Sequence, residues 1–253
     1  MEHFMSLTIR AFSVGRVYGL PRPSFTYLRG YGETQDLPLI MYVIEGGESP
    51  IVVDTGADLA RSWDDHKINM EQTPEERPEL VLRAAGIDPN DVKVVVNTHL
   101  HWDHSSNNHL FPNARVLVQQ SELDYALNPL QWHCKHFEIS VDIEPSWKKA
   151  EDKIDTVTGD VEIAPGVTLV ALPGHTPGSQ GVLVEADSTR YLIAGDCLYL
   201  YENWEGDAEV DHIPVGLFTD LVEYDKSLRK IEKLDCEVIP SHDFRVVERS
   251  IFA

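Results

Sequence analysis

The segment from Asn97 to His104 constrains this chain more than any other part of its sequence. It reads NTHLHWDH, and it follows directly on the apolar run VKVVV. An uninterrupted run of β-branched residues is typical of a strand that is buried on both faces of a sheet. The fold must therefore end a buried strand where three histidines and an aspartate can find partners, because buried imidazoles and carboxylates without partners are costly.

Three later segments repeat the pattern of an apolar run followed by a histidine or an aspartate. GVTLVALPGH ends in His175, the run before AGDCLY leads to Asp196, and EVIPSHD carries His242. In layered α/β folds, functional groups gather on loops at one end of the strands. Two further segments, MYVIEGGESPIVVDTG and GVLVEADSTRYLIAGD, share the pattern of a hairpin that ends in an acid, with the acids two positions out of step, which is consistent with an internal duplication. The sequence thus predicts an α/β fold.

The spacing of the first motif favours a metal site over a polar surface loop. In an extended segment residues i and i+2 point the same way, so His99 and His101 can converge on one cation. Leu100 and Trp102 would then face the opposite side. The aspartate and histidine that follow, where the chain turns into a helix, can point at a second centre.

The number of candidate ligands indicates two metal ions. A single tetrahedral catalytic site takes three protein ligands and a water molecule. Imidazole and carboxylate ligands without a thiolate favour Zn²⁺, and they are compatible with Mn²⁺, Co²⁺ or Fe²⁺. The candidates are His99, His101, Asp103, His104, His175, Asp196 and His242.

The order of these motifs resembles the metallo-β-lactamase superfamily of dinuclear metal hydrolases. His-x-His-x-Asp-His is followed by Gly-His-Thr-Pro-Gly, by Gly-Asp and by a C-terminal Ser-His-Asp, over nearly the full chain. The resemblance implies an αββα sandwich of two similar halves with the metals at the edge between the sheets, and we expect one domain over residues 1–253. It also implies His99, His101 and His175 at one metal, Asp103, His104 and His242 at the other, and Asp196 as the bridge.

Within the superfamily, the chain is most similar to the N-acyl homoserine lactonase group, which includes lactonases acting on other small rings. The likeness lies in VVNTHLHWDH, VTGDVEIAPGVTLVALPGHTPGSQGVLVE and AGDCLYLYENW. In those lactonases a tyrosine three residues after the bridging aspartate faces the metals, which implies this role for Tyr199, with Tyr201 and Trp204 as rivals. The chain departs from the group at Ser105–Asn108, where SSNN replaces small residues and glycines, and this departure affects the expected pocket shape.

The expected reaction is the opening of a lactone ring. Two ions about 3.5–4 Å apart can share a hydroxide that attacks the carbonyl they polarise. Tyr199 and a metal would hold the oxyanion, and Asp103 would relay a proton to the departing alkoxide. The substrate walls are expected from two long irregular stretches, Arg16–Leu37 and Pro129–Thr156, whose aromatic residues suggest a neutral, partly apolar substrate.

Other functions of the same fold stay open at this point. They include a thioesterase of glyoxalase II type, a β-lactam hydrolase and, from a different class, a metal-stabilised binding module without turnover. A nuclease branch shares the motif, but the charge of the chain weighs against it. A glutamate at position 101 would have suggested the di-iron oxidoreductase branch, and the chain has His101 instead.

Several other polar residues have a simpler interpretation. HCKHF, residues 133–137, looks like a ligand cluster, but a pocket-lining role is the better interpretation because no further ligands lie nearby in the sequence. Asp54, at the end of a strand, is expected to accept a hydrogen bond from a ligand histidine or a loop. Ordinary packing is expected for the remaining lone histidines: His3, His66, His109 and His212.

Composition limits the partners and the compartment. The formal net charge of −21 repels phosphate backbones and acidic membranes, so neither nucleic acid nor lipid is an expected partner. Three widely spaced cysteines argue against a disulfide framework. The N-terminus does not resemble a signal peptide and no membrane span is expected, so the default location is the cytoplasm. The oligomeric state stays open, with a homodimer as one option.

Overall fold

Two β-sheets pack face to face in the computed structural model, which describes residues 6–139 and 143–253. Within these ranges one sheet has eight strands and the other has five. The strands are, in chain order, β1 (Thr8–Pro21), β2 (Thr34–Glu45), β3 (Ile51–Val53), β4 (Asn69–Glu71), β5 (Val94–Val96), β6 (Arg115–Gln119), β7 (Ile154–Val157), β8 (Val161–Ala164), β9 (Val167–Ala171), β10 (Gln180–Glu185), β11 (Arg190–Ile193), β12 (Glu237–Ile239) and β13 (Ile251–Phe252).

Both sheets contain an antiparallel hairpin whose second strand pairs in parallel with a later strand. The first sheet has the order β13-β1-β2-β3-β5-β6-β7, with β4 beside β1. In it β2 and β3 are antiparallel, and β3, β5, β6 and β7 run parallel. The second sheet has the order β12-β11-β10-β9-β8, and only β11 and β12 are parallel there. The ends of these parallel strands carry the polar motifs.

Alternating apolar side chains fill the space between the sheets. In the first sheet Val53, Val96 and Leu117 point inwards. They meet Leu169 and Ile193 of the second sheet, and all five side chains are buried. Because side chains alternate along a strand, the neighbouring apolar residues point to the outer faces.

Helices cover the two outer faces and complete four layers. Val95 and Val116 pack in one outer core with Leu82, while Leu192 packs in another with Leu228. The predicted αββα sandwich of two similar halves is therefore confirmed. The helices are α1 (Leu59–Asp64), α2 (Pro78–Ala84), α3 (Trp102–Ser105), α4 (Gln120–Leu127), α5 (Tyr201–Glu205), α6 (Leu221–Glu232) and α7 (Phe244–Arg249).

The two stretches expected to be irregular contain more regular structure than the sequence indicates. β1 continues to Pro21 and pairs with β2 from Thr34, so both ends of the stretch Arg16–Leu37 belong to a strand pair. Register shifts between Ser13 and Gly15 and between Val17 and Leu20 let the ladder tolerate residues that usually break strands. The stretch Pro129–Thr156 includes a 3-10 helix, Ser146–Lys153, and part of it lies outside the described residues.

Hydrophobic helices of membrane-spanning length do not occur among the residues that the structure describes.

Candidate metal centre

The structure brings the seven candidate ligands together where four strands end. His99 and His101 follow β5, and Asp196 and His242 follow the parallel strands β11 and β12. Six of the seven side chains are buried, and Asp103 is half-buried. Leu100 and Trp102 point the other way, into the outer core, as the alternation in the motif predicts. The cluster therefore sits at the edge between the sheets.

The seven side chains form two groups around one carboxylate. The first group is His99, His101, His175 and Asp196, and the second is Asp103, His104 and His242. Oδ2 of Asp196 lies 3.6 Å from Nε2 of His99 and 3.4 Å from Nε2 of His175. Its Oδ1 lies 3.2 Å from Nε2 of His104 and 3.2 Å from Nε2 of His242. Asp196 thus presents one oxygen to each group.

Hydrogen bonds on the far side of the rings define which nitrogens face the cluster. Nδ1 of His175 lies 2.8 Å from the carbonyl oxygen of Leu217, and Nδ1 of His242 lies 3.0 Å from that of Pro38. A carbonyl oxygen only accepts, so each Nδ1 carries the proton and the lone pair of the neutral ring lies on Nε2, which for His175 is also 3.2 Å from Nδ1 of His101. These lone pairs face the oxygens of Asp196. A cation between them turns a repulsion into an attraction.

The donor atoms fit metal ions. Nε2 of His99, His104 and His242 and Oδ2 of Asp196 are buried and have no hydrogen-bond partner among the described residues. Two donors that bind one Zn²⁺ at tetrahedral angles lie about 3.4 Å apart, which matches the distances around Asp196. Four orphaned polar atoms that face one another in the interior would each be costly without an ion. The residues present therefore suit the two ions that the sequence predicts.

The charges around the two groups differ. Burial lowers the pKa of His99 and His101 well below the usual value and lowers that of His175, which keeps these imidazoles in the neutral form that binds metal. Burial would also lower the pKa of His104, but the charges of Asp196, Asp54 and Asp103 outweigh it and raise that pKa well above the usual value. The second group therefore lies in a strongly negative potential that favours a cation.

Asp54 holds the first motif and one histidine in place. Its Oδ1 accepts a hydrogen bond from the backbone N–H of Thr98 at 2.8 Å, and its Oδ2 accepts one from the Thr98 hydroxyl at 2.8 Å. Oδ2 also lies 2.8 Å from Nδ1 of His104. This geometry confirms the prediction that Asp54 is an acceptor that orients a histidine and a loop.

Tyr199 lies beside the cluster, and its two rivals do not. The Tyr199 ring centroid is 4.8 Å from that of His242 and 6.0 Å from that of His175. Tyr201 instead packs under the guanidinium of Arg245, and Trp204 stacks on His212. Burial, followed by the charges of Asp196 and Asp103, raises the pKa of Tyr199 well above its usual value. Its hydroxyl therefore stays protonated at neutral pH.

The HCKHF segment lies against the cluster without joining either donor group. The His136 ring centroid is 5.2 Å from that of His101, and the Phe137 ring centroid is 4.6 Å from it. Burial lowers the pKa of His136 to about 4. His133 turns away and places Nδ1 2.7 Å from the Tyr125 hydroxyl. Neither histidine belongs to a donor group among the described residues, and the pocket-lining role stays a prediction.

The lone histidines behave differently from one another. His66 stacks on Trp102 with ring centroids 4.0 Å apart and lies 3.3 Å from Glu138, and His212 contacts Trp204 and Glu232. Packing is therefore confirmed for these two. The prediction of ordinary packing was wrong for His109, which is exposed. His3 lies outside the described residues.

Glu138, the partner of His66, is a buried carboxylate that belongs to neither donor group. Burial would raise its pKa, but hydrogen bonds from His66 and from the backbone N–H of Ser146, together with the charge of Arg61, lower it to about 2. The carboxylate is therefore ionised at every ordinary pH.

The SSNN segment shapes the loops rather than the pocket. Ser105 donates to the carbonyl of His101, and Asn107 donates to the carbonyls of Thr55, Gly56 and Ala57. Asn108 donates to the side chain of Asn97. Ser106 also bonds back within α3, to the carbonyl of Trp102, so these side chains cap α3 and tie it to the loops after β3 and β5.

Sequence reasoning missed two residues that contact the cluster or its loops. Ser241 donates a hydrogen bond to Oδ1 of Asp196 at 2.7 Å. Glu122, in helix α4, is fully buried and accepts hydrogen bonds from the backbone N–H of Leu100 at 2.9 Å and from the Thr176 hydroxyl at 2.5 Å. Burial raises the pKa of Glu122 to about 7, although these hydrogen bonds act in the opposite direction. A single glutamate in a helix carries no sequence signal for such a role.

Comparisons with known proteins agree with this architecture. An N-acyl homoserine lactonase from a Bacillus species is 31% identical over 186 residues, which cover 70% of this chain and 70% of that protein. A structure of a B. thuringiensis AiiA variant with N-decanoyl-L-homoserine at its active site matches with a TM-score of 0.79 at 25% identity, covering 97% of this chain and 96% of that one.

AidC, a dizinc quorum-quenching lactonase solved with its product, shares the fold with a TM-score of 0.69 at 18% identity, covering 94% of this chain and 88% of that one. The family model of the metallo-beta-lactamase superfamily matches residues 41–242. The chain belongs to the metallo-beta-lactamase superfamily.

Proposed function

We propose that this chain is a metal-dependent hydrolase that opens a lactone ring, with N-acyl homoserine lactones as the leading substrates. The observation that carries the proposal is the position of Asp196, whose two oxygens face two separate groups of buried donors. The Bacillus relative, an N-acyl homoserine lactonase, supports the substrate class.

The two donor groups are proposed to hold two divalent ions, most simply Zn²⁺. Four atoms without hydrogen-bond partners among the described residues support this assignment. Ions held there would make a water molecule nucleophilic at neutral pH and would polarise the lactone carbonyl. The proposed ligands are His99, His101 and His175 on one side, Asp103, His104 and His242 on the other, and Asp196 between them.

Tyr199 is proposed to stabilise the negative charge that develops on the carbonyl oxygen. Its ring is fixed between His242 and Phe25, with the Phe25 ring stacked at 14° and a centroid distance of 6.4 Å. The raised pKa keeps the hydroxyl a hydrogen-bond donor. A donor that is already in place costs no reorganisation when the oxyanion forms.

Asp103 is proposed to move the proton that completes the reaction. Attack of water forms a new bond to the carbonyl carbon, and collapse breaks the ring C–O bond and leaves an alkoxide that needs a proton. Asp103 is the least buried of the seven candidate ligands, with its Oδ2 3.8 Å from Nε2 of His104 and 4.0 Å from that of His242. It can take the proton released by the attacking water and pass it to the alkoxide, which gives the open hydroxy acid.

The walls suit a small neutral substrate with an apolar part. Phe25, from the segment after β1, stacks on Tyr199, and His136 and Phe137 of the HCKHF segment contact His101, which supports these two segments as the proposed walls. The net charge of −21 disfavours polyanionic substrates such as nucleic acids. The negative field also disfavours retention of the acidic product.

A substrate panel tests this function. The metal-loaded protein is assayed with N-acyl homoserine lactones of several acyl lengths, a simple γ-lactone, a thioester, a β-lactam and an open-chain ester. We expect the highest kcat/KM on a lactone, and no turnover after a strong chelator removes the metal. A preference for the thioester or the β-lactam would overturn the proposal in favour of another reaction of this fold, and no turnover on the whole panel would indicate a binding module.

A further inference from the structure

Glu122 is a buried acidic side chain for which the proposed reaction has no use. It lies in α4, outside both donor groups, and its side chain is fully buried. A carboxylate in the interior needs strong hydrogen bonds, and a chain would lose little by replacing it with an apolar residue unless those bonds served a purpose.

The partners of Glu122 belong to both loops that carry the first donor group. Oε1 accepts from the backbone N–H of Leu100, the residue between His99 and His101. Oε2 accepts from the hydroxyl of Thr176, the residue after His175. One carboxylate therefore joins the two chain segments that supply three proposed ligands.

The packing beside Glu122 shows that this join is tight. A Cβ atom placed on Gly178 would lie 2.1 Å from the backbone nitrogen of Glu122 and 2.5 Å from its Cα. Because a side chain at Gly178 would collide with backbone, the loop that carries His175 lies directly against the start of α4.

The second donor group has different supports. Asp54 holds His104, and the carbonyl of Pro38 holds His242. Glu122 makes no hydrogen bond to either of these histidines among the described residues. Glu122 thus bonds only to the loops of the first group, whereas Asp54 holds His104 and, through Thr98, the start of the first motif.

We propose that Glu122 is a positioning residue that sets the metal affinity of the His99, His101 and His175 group alone, by holding their two loops at a fixed separation. The proposal rests on the proposed function, because it requires the two-ion site. Residues that orient metal ligands commonly change metal affinity ten- to a hundredfold when they are removed. Since Glu122 bonds to the loops of these three histidines and not to His104 or His242, its effect is confined to one of the two ions.

The test is a titration of the chelator-stripped, full-length chain with Zn²⁺ against a chromophoric competing chelator, which yields two dissociation constants. Glu122→Met keeps the side-chain volume and removes both acceptors. We expect it to raise the dissociation constant of one Zn²⁺ about ten- to a hundredfold and that of the other less than twofold. Glu122→Gln keeps an acceptor for Leu100 and can donate to the Thr176 hydroxyl, so it is expected to restore most of the affinity. Asp54→Asn is expected to weaken the binding of the ion held by the second donor group, because Asp54 holds His104.

Glu138→Met is the matched control, because Glu138 is an equally buried carboxylate whose partners are His66, Arg61 and Ser146. Equal weakening of both ions in Glu122→Met, or the same loss in Glu138→Met, would overturn the proposal and indicate general loosening. Unchanged constants in Glu122→Met would also overturn it.

Should Glu122→Met not fold, Thr176→Val decides the matter. It removes one hydrogen bond at nearly constant volume, and we expect a three- to tenfold loss, on the order of one neutral hydrogen bond, for one ion only. An unchanged constant overturns the proposal. A wild-type chain that binds a single Zn²⁺ would refute the two-ion function itself, and neither result depends on lactone turnover.

Discussion

Replacement of Tyr199 by phenylalanine removes one hydroxyl and little else. The ring is held by stacking on Phe25 and by edge contacts with His175 and His242, none of which needs the hydroxyl. The chain fold around position 199 is held by the backbone, since the N–H of His242 donates to the carbonyl of Tyr199 at 2.9 Å. We therefore expect Tyr199→Phe to fold and to bind metal as the parent does.

The size of the effect follows from what the hydroxyl does in the transition state. One preorganised oxyanion donor is worth about 3–4 kcal/mol where water is excluded, and less where the site is partly open. Tyr199 is half-buried, so the expected loss spans roughly ten- to a thousandfold in turnover, with 1.4 kcal/mol for each factor of ten. The loss should appear in kcat, because the interaction strengthens only as the oxyanion forms.

The assay measures kcat and KM on the best lactone of the panel, with metal content determined on the same samples. Tyr201→Phe is the matched control, because Tyr201 is two residues further on and packs under Arg245. It should be as fast as the parent. An unchanged kcat in Tyr199→Phe would refute the role of the hydroxyl, and a raised KM with unchanged kcat would reassign it to substrate binding.

Three further predictions concern metal content, the HCKHF segment and stability. Purified protein should carry close to two ions per chain, and a single ion at full activity would contradict the dinuclear proposal. His133→Ala and His136→Ala should leave metal content unchanged by elemental analysis, because neither residue belongs to a donor group among the described residues; loss of an ion in either would show that the segment binds metal. Glu138→Gln should be less stable than the parent to urea at pH 7, by about 3 kcal/mol, because the pKa of Glu138 lies near 2 in the folded chain. A group whose pKa is lower in the folded chain stabilises the fold at pH values above its pKa in the unfolded chain. The difference in free energy of unfolding between the parent and Glu138→Gln should therefore narrow as pH falls below about 4.5, and a constant difference would refute this account.

The sequence was informative where the relevant physics is local. Alternation along an extended segment is enough to place His99 and His101 on one side and Leu100 on the other, and the structure agrees. The apolar run before the motif likewise predicts β5, whose Val95 and Val96 are fully buried. Each of these inferences uses neighbours within a few residues.

The sequence failed where a residue acts through distant partners. Glu122 lies 54 residues from Thr176 and 22 from Leu100, so no local pattern connects them. The stretch Arg16–Leu37 failed for a related reason. Its glycines and prolines indicate a loop, but pairing with β2 and two register shifts stabilise a strand there.

The repeated hairpin explains why two similar acids have different positions. Asp54 follows β3 directly, with a positive φ of 57°, and its carboxylate lies behind the ring of His104. Asp196 comes two positions later relative to its strand, after Gly195, whose φ is 53°. A Cβ on Gly195 would lie 2.6 Å from Cβ of Thr98, so only glycine lets this turn pack against the first motif. Because of this close approach, the side chain of Asp196 lies between the two groups of histidines and not behind one ring. The offset of two residues, visible in the sequence, thus separates an acid that orients a ligand from one that faces both donor groups.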